Sequence, residues 1–435
     1  MGNNKKRKEK NHKKKKRKAA GEQSLALRYV HEWVFRDSPP TSPAGDAPDD
    51  FAPQSSHKVV DPVVFELHCH SNHSDGFLSP SAVVERAHSN GVKVLALTDH
   101  DTMAGIPEAT ETAQKYGMRI IPGVEISAIY SPRHEPGVGD LVHILAYYGS
   151  SGPSSSEDLD NLLLNIRDGR YLRAKNMLLK LNKLKVPIKW EHVSKIAGDG
   201  VAPGRVHIAR ALVEAGHVEN LREAFNRYLY DGGPAYTMGN EPFAEEVVQL
   251  ICHTGGIAAL AHPWALKNPV TVIRSLKAAG LHAMEVYRSD GKAAGFGELA
   301  DMHKLIKLGG SDYHGRGGHD ESELGTVSLP LATIYQFLKM ARPIWCNAMK
   351  DILQSFAKDP SDANIEKITR FGIPKKSKVC HTVNCGKDIV DLCLSSWLTS
   401  DEKQENEFQA IRLMLADTLI ADTVQCRGIL HLSAE

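Results

Sequence analysis

From residue 63 the chain alternates short apolar runs with amphipathic segments. Val63, Val64 and Phe65 form an apolar run that reads as a buried strand. Ser79-Pro80 opens a helix, with a capping serine and a proline at the first helical position. Val83, Val84 and Ala87 give that helix its apolar face, and Asn90-Gly91 ends it. Val92–Leu97 reads as a second strand, followed by a helix to about Tyr116-Gly117. Met118–Ile121 then leads through Pro122-Gly123 into Val124-Glu125-Ile126-Ser127, and Leu141–Tyr148 is a further strand. The stretch 155–245 breaks the alternation. Helical patterns over Leu162–Leu184, with Leu162, Ile166, Leu172, Leu178, Leu179 and Leu181 as its apolar set, then Arg205–Ala215 and Leu221–Tyr230, predict a helical insertion. The alternation resumes with a helix over Glu246–His253, a strand over Ile257–Ala261, a helix over Val270–Ala279 and a strand over Leu281–Tyr287 that carries Glu285. Leu308-Gly309-Gly310 runs into Ser311-Asp312-Tyr313-His314. Strands and helices in alternation predict an α/β fold with a largely parallel sheet.

Polar residues recur where the strands end, which is where active sites sit in parallel α/β folds and barrels. His68 and His70 close the first strand and, two apart, project to the same side. Asp75, His100, Glu125, His143, His262, Asp312 and His314 complete a set of six histidines and three carboxylates. Buried together without a cation such groups would be costly. With two or three divalent ions they are a ligand set. The nitrogen and oxygen mixture suits Mn, Zn or Fe better than Mg or Ca. Asp99, beside His100, joins His68, His70, Asp75, His100, Glu125, His262, Asp312 and His314 as an expected catalytic group.

Length and charge add an outline around this centre. The 435 residues are 42% hydrophobic and 24% charged, an ordinary globular composition. No apolar run approaches the ~18 residues of a membrane span, so no membrane partner is expected. Seven unpaired-looking cysteines suggest free thiols and an intracellular setting. The net charge of +1 hides an asymmetry: residues 1–18 hold eleven Lys or Arg and one Glu, leaving −9 for the remainder. A block this dense is expected to be a disordered tail that binds nucleic acid or an import receptor, placing the protein in the nucleus, with the cytoplasm as the alternative. Residues 19–61 read as a linker, in which Leu25, Val30, Trp33 and Phe35 of 22–36 suggest a short docking helix. A catalytic unit over 62–330, with its insertion at about 155–245, is followed by a mainly helical segment over 331–435 of unassigned role. Cys380-His381 with Cys385 resembles half of a zinc site without its second half, so an incidental role is favoured.

His68-Cys69-His70 with Asp75, Thr98-Asp99-His100, His262-Pro263 and Ser311-Asp312-Tyr313-His314, in this order and spacing, resemble the four motifs of the PHP (polymerase and histidinol phosphatase) superfamily. Leu97–Thr102, Pro122–Ser127 and Gly204–Leu212 are similar to its bacterial branch with an inserted helical domain. The resemblance implies a distorted seven-stranded β/α barrel with a trinuclear metal centre on its C-terminal face. It also implies phosphatases of nucleoside 3′,5′-bisphosphates and exonucleases that degrade short RNA from the 5′ end. The expected activity is metal-dependent hydrolysis of phosphate esters on nucleotides or short RNA, with a metal-bridging hydroxide attacking phosphorus in line. A phosphatase for a non-nucleotide metabolite and a non-catalytic metal-stabilised binding module are the alternatives. Arg205 and His207, in the insertion, are candidates to clamp a second phosphate. Where the family places an Arg after His-Pro, this chain has Trp264-Ala265-Leu266-Lys267, which leaves Lys267 for that contact.

Overall fold

The structure, a computed structural model, describes residues 21–35, 63–133, 139–289, 295–318, 321–359, 361–371 and 397–414. The basic run 1–18 and the Cys380, His381 and Cys385 group lie outside them. In chain order the elements are α1 (residues 21–34), β1 (Val64–Glu66), α2 (Pro80–Ser89), β2 (Val92–Leu97), α3 (Ile106–Lys115), β3 (Arg119–Tyr130) and β4 (Asp140–Tyr147). The insertion holds α4 (Ser156–Lys183), α5 (Trp190–Ala197), α6 (Arg205–Glu214) and α7 (Leu221–Ala224). Then come α8 (Ala244–His253), β5 (Ile257–Leu260), α9 (Pro269–Ala279), β6 (Ala283–Tyr287), α10 (Phe296–Met302), β7 (Ile306–Gly309), α11 (Leu331–Lys358) and α12 (Asp362–Thr369).

The seven strands pair in sequence order, parallel except where β4 runs antiparallel between β3 and β5. The two short runs foreseen around Pro122 are one twelve-residue strand. Its partner changes at that point, with β2 facing residues 119–122 and β4 facing 123–130. Proline, which has no N–H to give, sits where the two ladders meet. The chain beyond β1 meets the chain beyond β7: His70 N donates to Tyr313 O at 2.8 Å and Asp312 N to His68 O at 2.9 Å. That contact closes the sheet into a distorted barrel at its C-terminal end. Buried Glu66 pins the seam by accepting from the N–H groups of His68, Ser311 and Gly325. Burial pushes its carboxyl above the ordinary range against those donors. Gly310 is required there, because a Cβ would lie 2.5 Å from His68 N.

The barrel floor is made by segments outside the alternating pattern. Val30 and Trp33 of α1 and Phe337, Leu338 and Trp345 of α11 pack against Phe65, Val94, Ile121 and Tyr147 of the barrel interior. Trp345 Nε1 donates to Tyr147 O at 3.0 Å. Arg119 Nε, at the start of β3, donates to Val34 O at 3.2 Å, and its guanidinium covers the Trp33 ring. Residues 21–34 are therefore a structural helix rather than part of a linker, and α11 gives the segment after 330 a defined place. The insertion has its own core around Met177, Leu181, Val193, Ile208 and Leu212. Leu172 and Leu179 of α4, expected on its apolar face, are exposed, whereas Arg170 and Arg173 are buried. They are tolerated because Arg170 pairs with Asp101 at 2.6 Å and Arg173 with Glu241 at 2.7 Å.

Candidate active site

Each expected strand-end group sits on the barrel's C-terminal face, opposite α1 and α11. Glu125, in β3, is the centre. Its Oε2 lies 3.3 Å from His68 Nε2, 3.2 Å from His70 Nε2 and 3.2 Å from His100 Nδ1. Its Oε1 lies 3.0 Å from His143 Nδ1 and 2.9 Å from His262 Nε2. Asp312 Oδ1 is 3.3 Å from His68 Nε2 and 3.2 Å from His70 Nε2. Asp75 Oδ1 faces His314 Nε2 at 3.2 Å and His100 Nε2 at 3.9 Å. The nine residues thus form one contiguous cluster.

Three overlapping constellations could each hold a metal ion: His70, Asp75, His100 and His314; His68, His70, Glu125 and Asp312; and His100, Glu125 and His143. In each, all ligand atoms lie within 4.8 Å of one another. His68 Nε2, both nitrogens of His70, Asp75 Oδ1 and His100 Nδ1 are buried without a hydrogen-bond partner. Buried polar atoms are normally satisfied. A set of them converging on shared carboxylates fits divalent cations. The electrostatics point the same way. Burial works against the charge on Glu125, yet His100, His68 and His143 hold its carboxyl well below the usual range. Burial opposes protonation of His70 too, but Asp312 and Glu125 outweigh it and push its pKa up to about 10. Protons here occupy positions that a cation can take, so metal uptake releases protons and weakens in acid.

The backbone is strained at two cluster residues and at Asp101, the partner of Arg170. Asp101, His262 and Asp312 have φ of 56°, 29° and 54°, in the left-handed region that side chains rarely adopt. Gly76 follows Asp75 because a Cβ would lie 2.7 Å from His70 O.

Asp99 does not join the cluster. Its carboxylate accepts from Ser71 N at 2.7 Å, Ser71 Oγ at 2.6 Å and Ser74 Oγ at 2.7 Å, so it positions the loop that carries Asp75. Arg205 is tied to Asp231 and to Leu229 O, and Lys267 is exposed and paired with Asp140 at 3.1 Å. His207 is buried. Its Nδ1 accepts from Gly204 N at 2.9 Å, capping α6, and its ring also bonds the Ser74 backbone. These three residues are not brought to the cluster as clamps.

Burial lowers the His207 pKa to about 4. The unfolded chain, with an ordinary pKa near 6.5, binds this proton more readily, so stability should fall as pH drops from about 6.5 to about 4. The linkage is worth roughly 3 kcal/mol by pH 4. Urea unfolding of wild type and His207→Gln at pH 7 and pH 4.5 checks it: the gap between them should shrink in acid.

Two further groups were given no role by the sequence reading. Glu285, in the middle of β6, binds His68 Nδ1 at 3.0 Å through Oε1 and accepts from His262 N at 2.7 Å through Oε2. It fixes the orientation of two cluster histidines. A carboxylate in an otherwise apolar strand was the available signal. Arg316, two residues beyond His314, has Nη2 3.7 Å from Asp75 Oδ2, and only the fold shows it.

A profile described as the PHP domain matches residues 66–229. The chain is 34% identical over 295 residues to the 3′,5′-nucleoside bisphosphate phosphatase of Chromobacterium violaceum, covering 64% of this chain and 94% of that protein. The chain belongs to the PHP family. It is also 34% identical over 261 residues to the 5′-3′ exoribonuclease Rnm of Salmonella typhimurium, covering 58% of this chain and 85% of that one. A solved structure of a candidate metal-dependent phosphoesterase from Bifidobacterium adolescentis superposes with a TM-score of 0.56 at 30% identity, over 64% of this chain and 96% of that one. This PHP chain is a metal-dependent phosphoesterase, a hydrolase. No helix among the described residues is long and apolar enough to cross a membrane.

Proposed function

We propose that the chain hydrolyses phosphate esters on nucleotides or short RNA ends, as a 3′,5′-bisphosphate phosphatase or a 5′-to-3′ exoribonuclease. The observation that carries this reading is Glu125, whose two oxygens are shared among five histidines in a buried cluster. His68, His70, Asp75, His100, Glu125, His143, His262, Asp312 and His314 would hold two or three divalent ions, with Mn, Zn or Fe suiting the donor set. Such ions supply an activated water and neutralise charge on phosphoryl oxygens. The protein's own groups do the positioning. Glu285 holds the His68 Nδ1 side, which leaves Nε2 turned to the centre. Asp99 holds the Asp75 loop through Ser71 and Ser74. Arg316, above Asp75, is placed to meet a non-reacting phosphate oxygen with a fork of donors.

The reading is tested by metal analysis and a substrate screen. Purified protein should carry two to three transition-metal ions per chain. It should cleave a 3′,5′-bisphosphate or a 5′-phosphorylated oligoribonucleotide, lose activity to chelation and recover it on Mn addition. Metal-loaded protein that hydrolyses histidinol phosphate but no nucleotide would overturn the substrate. Folded protein that binds no metal would remove the site.

The basic run 1–18 is proposed as a nucleic-acid tether or nuclear import signal. Its removal should flatten the salt dependence of RNA retention or change cellular distribution, with turnover of a small nucleotide unchanged. No change in retention or distribution would leave it a solvated tail.

A further inference from the structure

We propose that the outer face of α4 is a docking surface for a second copy of this chain. It pairs with the same helix of that copy, antiparallel, about a two-fold axis at Leu172. The proposal concerns the insertion and stands apart from the nucleotide reading above.

One side of α4 is buried and the other is bare. Leu163, Ile166, Ala174, Met177, Leu178 and Leu181 face the interior, whereas Leu164, Leu172 and Leu179 are 48%, 62% and 61% exposed. Leucines scattered singly on a surface need no explanation. These three fall on one stripe. Leu164, Asp168, Leu172, Lys175 and Leu179 follow one another at steps of four or three residues, the spacing of a coiled-coil seam, and all five are exposed.

The order along the seam says which helix fits it. Read in either direction it is leucine, charge, leucine, charge, leucine, with Asp168 on one side of Leu172 and Lys175 on the other. Laid antiparallel on a second copy, Leu164 meets Leu179, Leu172 meets itself and Asp168 meets Lys175. Each unlike pair then occurs twice, as an isologous interface requires. Parallel pairing would set like charges against each other. The flanks agree with the antiparallel order. Residues 156–169 hold four acids and one base, and residues 170–183 hold five bases and no acid, so the acidic half of one helix lies on the basic half of the other. The helix dipole favours acids at Glu157 and Asp158, in the first turn, but not at Asp168, well inside the helix. Some of these charges already have contacts. Arg170 and Arg173 are committed inward to Asp101 and Glu241, and Asp160 is held by Arg370. Lys180 donates to Tyr236 O, and Lys175 lies 5.2 Å from the centre of the Trp190 ring. Among the described residues, Asp168 and Lys183 have no ion-pair partner.

The test follows mass against concentration by sedimentation of the full chain. Wild type should move from 47.7 kDa toward twice that mass over about 1–200 µM, the weak affinity expected of a small interface. Leu172→Glu sets two carboxylates against each other at the axis and should stay monomeric throughout, while glutamate keeps the helix. Asp168→Lys and Lys175→Glu should each weaken association about 10-fold or more, because like charges then meet across the interface. Combining the two exchanges the charges and should restore association to near the wild-type value. Circular dichroism on each variant shows that the fold is kept. A dimer that survives Leu172→Glu, or a charge-exchanged double variant no better than the single ones, overturns the proposal. So does wild type that stays monomeric over the whole range, which would give the stripe to another occupant, a different segment of this chain or a different protein.

Discussion

Glu125→Gln should lower kcat by about 10³-fold or more and release most of the bound metal, while the protein stays folded. The reason is geometric. Both carboxylate oxygens are engaged, with three histidines on Oε2 and two on Oε1. An amide keeps the shape but removes the charge and one acceptor atom, so the cluster would hold divalent ions less tightly. A loss of ~4 kcal/mol in charge stabilisation at phosphorus corresponds to about 10³ in rate. His70→Ala and Asp312→Ala should behave alike, since His70 belongs to two of the three constellations and Asp312 closes one. The fold should persist because these groups crown the barrel and its core lies below them. Turnover, metal content and circular dichroism on the same preparations decide it. Near wild-type turnover in Glu125→Gln would sink the assignment of the centre.

Trp33→Ala should destabilise the catalytic barrel by about 3–5 kcal/mol, the range for removing a large buried aromatic side chain. Trp33 is 1% exposed and sits against Phe65, Trp345 and Trp397, with Arg119 over its ring. Its removal opens a void that strands on one side and α11 on the other cannot readily fill. The melting temperature should fall by roughly 3–6 °C in a protein of this size. Removing residues 1–20 should leave it unchanged, because Val30, Trp33 and Val34 make the contacts of α1 with the floor. A Trp33→Ala variant that melts within a degree of wild type would show that α1 is an accessory to the fold.

The two predictions mark where the sequence was readable and where it was not. The cluster was legible because a metal-ligand set has chemistry that a core does not: His68, His70 and the other strand-end groups are the wrong residues to bury unless something binds them. Asp99 was misread because it lies beside His100 in sequence, while successive side chains on extended backbone point to opposite sides. It faces Ser71 and Ser74 instead. Arg205 and His207 were chosen for charge and place in the insertion. Whether such a group is free depends on its neighbours, and Asp231 and Gly204, which occupy them, are 26 and 3 residues away.

By itself the sequence determined the alternation of strands and helices, the interruption at the insertion and the residues that crown the barrel. Periodicity and local chemistry are short-range properties, and both survive in one dimension. The tertiary structure decided which way β4 runs, and that Pro122 lies where β3 changes partners. It decided that α1 and α11, some 300 residues apart in sequence, meet to close one floor. It also left Leu172 and Leu179 exposed on α4 while Arg170 and Arg173 found carboxylates. These outcomes rest on long-range packing, in which an apolar face or a cation takes its role from whichever distant segment covers it.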